Sequence, residues 1–108
     1  MTGSRAAAAL YDSPAAQRRT AAKAAVAEVE KRHQHEAAAH RESQQTEVAQ
    51  LEEKQAGEAG KYGNYRPPEK ILAGHKRQRD ALRARHTAQT ERLEERHERE
   101  LQRARGAT

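Results

Sequence analysis

The chain has 108 residues, about one third of them charged and one third hydrophobic, with a net charge of +5 and no Phe, Trp or Cys. That length allows one domain at most. The absence of cysteine excludes disulfides, thiolate catalysis and thiolate-ligated zinc, and no apolar run approaches the roughly 20 residues of a membrane span.

Residues 1–13 open with Ser4 as a potential N-cap before an Ala run, which predicts a short N-terminal helix. The first 27 residues are basic (Arg5, Arg18, Arg19 and Lys23 against Asp12) and rich in Ala, Ser and Thr. They resemble an organellar transit peptide in composition, although a basic Ala-rich helix is the plainer reading. Together with the lack of cysteine this fits an intracellular setting, cytoplasmic or organellar, mitochondrial included.

Asp12, Ser13 and Pro14 form a strong helix start, a capping residue followed by Pro at the first helical position. From Pro14 to Ala56 nothing breaks a helix, so residues 14–56 are predicted as the first long helix. The stretch 57–68, with three glycines, Asn64, Pro67 and Pro68, is predicted as a loop. Glu69 then sits in the first turn of a second helix, favourable for the dipole, and residues 69–105 are helical in composition up to Gly106.

His75, His86 and His97 are spaced by 11 residues, and each follows an aliphatic by four: Ile71, Leu82 and Leu93. Eleven residues make about three helical turns, so both sets stay on one stripe. Val29, His40 and Leu51 repeat with the same spacing in the first helix. The fold class is therefore all-α, an antiparallel hairpin of two long helices with 11-residue periodicity. Its expected seam is Val29, His40, Leu51, Ile71, Leu82 and Leu93. Pairing about Lys61 would set Leu51 against Ile71, His40 against Leu82, and Val29 against Leu93. The large aliphatics outside the termini and loop number only nine, from Val26 to Leu101. So little apolar surface cannot offset the backbone entropy of a long chain, and little independent core is expected.

No catalytic motif is visible, and neither enzyme activity nor a cofactor is expected. The three repeat histidines lie roughly 16 Å apart along a helix, too far to share one metal ion, and no metal site is expected. Two surfaces remain. Tyr62, Tyr65 and Arg66 in the loop are residue types that anchor protein interfaces, and are expected to dock a partner. Lys70, Lys76, Arg77, Arg79, Arg83 and Arg85 form the densest positive tract, suited to a polyanion. The sequence thus predicts a non-enzymatic helical subunit that staples a larger intracellular assembly. The alternative is a basic nucleic-acid-binding accessory protein of a ribosome-like or DNA-processing complex that contacts phosphates through the positive tract, which would also suit an acidic protein surface. A homo-oligomeric coiled coil is a third reading.

Overall fold

The computed structural model describes residues 13–106, and two helices hold nearly all of them: α1, Pro14–Gly60, and α2, Glu69–Gly106. There is no strand among the described residues. The expected short N-terminal helix lies outside them. The two long helices form the expected helical hairpin.

Local chemistry sets the helix ends. Ser13 Oγ accepts a hydrogen bond from the Ala16 amide at 3.1 Å, and the Ser13 carbonyl accepts from Gln17 at 2.9 Å. Ser13 is therefore the N-cap, and Pro14 sits where its missing N–H costs nothing. At the far end α1 tightens. Lys61, Tyr62 and Gly63 donate to the carbonyls three residues back, at 3.3, 3.2 and 3.1 Å. Gly63 then takes φ +57°, a left-handed conformation that glycine adopts without penalty. α2 begins on the Pro68 carbonyl, which accepts from both Ile71 and Leu72 at 2.9 and 3.1 Å.

α1 thus continues through Gly57 to Gly60 instead of stopping at Ala56. Each glycine costs roughly 1 kcal/mol relative to alanine in a helix. The extra turn places Glu58, one turn beyond the buried Gln55, within 2.8 Å of His75. The loop shrinks to Lys61–Pro68.

The chain divides into two compact units. In the loop-end unit, Glu36–Leu93, the inward positions of α1 are His40, Gln44, Glu47, Leu51, Gln55 and Glu58. Those of α2 include Ile71, His75, Leu82, His86 and Leu93. Successive inward positions are three or four residues apart and recur after eleven, so the periodicity read from the histidines governs burial. In the other unit, made of the described residues 13–35 and 94–106, Val29 and Ala104 are buried, as is His33.

The register differs from the expected one. His75 meets Glu58, where pairing about Lys61 would have put Glu47. His86 meets Glu47, where that pairing would have put Glu36. Leu51 shares a groove with Leu82 and not with Ile71. In the loop-end unit the expected facing pairs Leu51–Ile71 and His40–Leu82 are thus displaced by one 11-residue repeat. In the other unit, taken alone, His33 meets Glu100, the same offset, so the expected pairing of Val29 with Leu93 does not apply there. The physical reason is degeneracy: two stripes with one period stay in phase at every multiple of eleven. The extended α1 and the shorter loop select among those registers. The chain has no native cysteine, so a disulfide reports the register unambiguously. A Leu51→Cys, Leu82→Cys variant is expected to cross-link under mild oxidation, whereas Leu51→Cys with Ile71→Cys stays reduced.

Candidate functional site

The most distinctive chemistry of the fold is a seam of imidazoles, carboxylates and amides where a hairpin would ordinarily bury leucines. Three polar residues are buried, namely His33 (8% exposed), Gln55 (7%) and His75 (6%), against two apolar ones, Val29 and Ala104. No large side chain among the described residues is fully buried.

In the loop-end unit, His75 Nε2 donates to Glu58 Oε2 at 2.8 Å. Gln55 donates to the His75 carbonyl at 2.9 Å and to Gln78 Oε1 at 3.3 Å, and its own carbonyl oxygen accepts from Arg79 at 3.1 Å. One layer further along, Glu47 pairs with Arg85 and lies 3.6 Å from His86 Nε2. That second distance is within ion-pair reach but too long for a hydrogen bond. Gln44 donates to the His86 carbonyl at 3.3 Å and to Thr90 Oγ1 at 3.4 Å. Each layer sets a glutamine of α1 against the α2 backbone and a glutamate of α1 beside a histidine of α2. The glutamate–histidine pair is hydrogen-bonded in the first layer and only within ion-pair reach in the second, where His86 Nε2 is buried without a hydrogen-bond partner. His40 Nε2 is buried in this unit with no hydrogen-bond partner.

In the other unit the roles exchange. His33 on α1 donates to Glu100 Oε2 on α2 at 3.1 Å, and Arg32 reaches the same oxygen at 3.4 Å. The His33 ring stacks on His97, with centroids 3.3 Å apart and planes inclined by 12°. Arg96 approaches Glu100 to 3.8 Å.

These contacts perturb the carboxylates. The hydrogen bond from His75 holds the Glu58 carboxyl below its ordinary 4.5, helped by Lys54 and Lys61 and opposed by desolvation. The hydrogen bond from His33 does the same for Glu100, with Arg32 and Arg96 adding to it. A depressed carboxyl contributes stability that is present above its unfolded value and is lost as pH falls through the folded one. Seam pairing should therefore weaken below about pH 4.5. A Glu58→Gln, Glu100→Gln variant is expected to show a shallower fall of melting temperature between neutral pH and pH 3 than the parent. An equally steep fall would assign the acid sensitivity to other carboxylates.

The residues expected to form sites are only partly brought together. Tyr62 is half-buried at the end of the seam, while Tyr65 is 83% exposed. Arg66 is exposed and pairs with Glu69 at 3.1 Å. The positive tract is not one surface. Lys70, Arg77 and Arg85 each stand one residue before a seam position, whereas Lys76, Arg79 and Arg83 each stand one residue after one. The two sets lie on opposite flanks of α2. Arg79 and Arg85 are engaged by Gln55 and Glu47, and Arg83 lies 3.9 Å from Asp80.

The acidic half of the seam is what sequence reasoning missed. Glu36, Glu47 and Glu58 are themselves spaced by 11, a signal as regular as that of the histidines. It is obscured because carboxylates on a helix usually mark solvent.

Among the described residues no three His, Asp or Glu side chains converge to hold a metal ion, and no helix is long and apolar enough to cross a membrane. The grooves flanking the seam are shallow. One is lined by Leu51, Ala81 and Leu82 with Lys54 and Arg85 at its edges, another by Arg41, Val48, Glu52 and His86. The arrangement can position helices, exchange protons and present charge. No protein family, curated protein or solved structure matches the chain.

Proposed function

We propose that the chain is a non-enzymatic helical interaction subunit that stabilises a larger intracellular assembly. The observation that carries this reading is the incomplete burial of its apolar residues. Leu51, Ile71, Leu72, Leu82 and Leu93 are only half-buried, and Val48 is exposed. A partner that covers these side chains supplies the apolar burial that the hairpin lacks. Tyr65, exposed at the loop, is a rigid amphipathic anchor of the kind that dominates interface energetics. The Tyr65 side and the half-open seam together favour docking along and over the loop end.

The test is a photo-reactive phenylalanine analogue placed at Tyr65 and, as a control, at the exposed Glu95 of the full chain in its native cells. The expected result is one protein cross-linked from position 65 and not from position 95, retained when extracts are made at high salt. Cross-linking that is equal at both positions, or absent, would overturn the proposal.

A further inference from the structure

Charge on the loop-end unit is sorted by its phase relative to the seam. On α2 the inward positions are Ile71, His75, Leu82, His86, Gln89 and Leu93, together with Gln78, which is exposed but accepts from Gln55 across the seam. The residues immediately before these positions, in chain order, are Lys70, Gly74, Arg77, Ala81, Arg85, Ala88 and Arg92. These seven follow one another at three- and four-residue steps, so they form one continuous stripe. Four are cations, three are small, and none is acidic. The same rule on α1 picks out Lys54, with Ser43, Thr46, Gln50 and Gly57 before and after it, and Lys61 follows in the turn that closes α1. Helices that run antiparallel present these two stripes on one side of the pair. The groove that holds Gln50 and Lys54 of α1 beside Ala81 and Arg85 of α2 shows this directly.

The acidic residues of the unit fall on other phases. Glu36, Glu47 and Glu58 lie in the seam, and Glu42, Glu52, Glu53, Glu69, Asp80 and Glu91 stand elsewhere. One face of the hairpin therefore carries Lys54, Lys61, Lys70, Arg77, Arg85 and Arg92, all exposed, with no carboxylate outside the seam. The Arg77 guanidinium lies over Gly74, where an added Cβ would sit 3.8 Å from it. Arg85 is held by Glu47. Among the described residues Lys70, Arg77 and Arg92 make no ion pair. In the other unit, taken alone, the residues preceding His97, Glu100 and Ala104 are again basic: Arg96, Arg99 and Arg103.

We infer that this face is a docking surface for the phosphate backbone of double-helical DNA, bound without reading its sequence. The four cations of α2 recur every seven or eight residues, about 11 Å apart, and span about 33 Å. That is close to one turn of the duplex, which presents a phosphate charge about every 1.7 Å of axis, so a regular row finds partners in any rotational setting. Two side-by-side helices, with axes roughly 8–10 Å apart, are too wide to enter a major groove of about 12 Å and instead rest across the backbone. The residues between the cations are Gly, Ala, Ser, Thr and Gln. They let phosphates approach closely but provide no apolar wedge for a lipid surface. No aromatic lies on the face, so it has no platform on which unpaired bases could stack.

The test uses the full chain and fluorescence anisotropy with two unrelated duplexes of about three turns each. The parent is expected to bind both alike, and to lose roughly 10²–10³-fold in affinity between 50 and 200 mM salt, as four to six phosphate contacts require. A Lys70→Gln, Arg77→Gln, Arg92→Gln variant should lose at least tenfold in affinity at low salt, and its salt slope should flatten by about three contacts. A charge-matched control on the opposite flank, Arg41→Gln, Lys76→Gln, Arg83→Gln, should keep the parental slope. All six positions are exposed, and circular dichroism is expected to show equal helicity in both variants. Equal losses in the two variants would overturn the assignment, because they would mean diffuse attraction by net charge. So would a preference for single strands, or binding to polyglutamate or phosphatidylserine vesicles in place of the duplex. This surface excludes Tyr65, so the outcome is separate from that of the cross-linking experiment.

Discussion

Replacing His33 and His75 together by leucine is expected to raise the melting temperature by about 10 °C, although it removes two cross-helix hydrogen bonds. Both histidines are buried, and each donates to a single carboxylate oxygen. The partners, Glu58 and Glu100, keep 37% and 25% of their side-chain surface, so water can replace the lost donor at small cost. Burying a leucine in place of each imidazole adds roughly 1.5–3 kcal/mol of apolar burial, offset in part by the hydrogen bond that each partly exposed glutamate gives up to water. A total gain of about 2 kcal/mol corresponds to roughly 8–16 °C in a domain of this size. Thermal melts by circular dichroism measure it, and a lowered midpoint would show that the imidazoles are worth more than leucine in the seam. Sedimentation of the same variant should reveal mixed species. Leucines recurring at the period of the seam no longer distinguish one register, or one partner helix, from another.

A single alanine inserted after Asp80 is expected to abolish cooperative unfolding. One residue turns the rest of α2 by about 100°. The positions that held Leu82, His86 and Leu93 would then receive Ala81, Arg85 and Arg92, because the cationic stripe directly precedes the seam. Burying unpaired guanidinium groups costs several kcal/mol each, more than so thin a seam can offset. Inserting a complete 11-residue repeat at the same point keeps the phase, and that variant should melt cooperatively within a few degrees of the parent. Comparable melts for the two insertions would show that periodicity does not hold the helices together.

The helices themselves were legible because their signals are local. Ser13-Pro14, the prolines before Glu69 and Gly106 mark ends by chemistry that acts within a turn. The stripe was legible too, since eleven-residue spacing needs only counting. Which repeat faces which was not, because equal spacing fits several alignments and the choice turned on whether α1 unwinds at Gly57. The acidic members of the seam were hidden by their usual preference for water. By spacing alone the positive tract is one broad surface, with Arg77 and Arg85 off the face of Lys76, Arg79 and Arg83; the seam fixes the origin of phase and divides it. Lys70 and Lys76 then fell on opposite flanks, and Arg92, which lies beyond the tract, joined the row.

The alignment the hairpin does not adopt has a mechanical meaning. It lies one repeat away, a translation of about 16 Å, and it requires α1 to end near Ala56, which frees Gly57–Gly60 as slack. Between the two settings the seam histidines lose their glutamate partners, which opposes sliding. Under a shearing load along its axis, such a seam is expected to slip in steps between settings that bring inward positions back into phase, rather than by gradual creep; a smooth force–extension trace would exclude it.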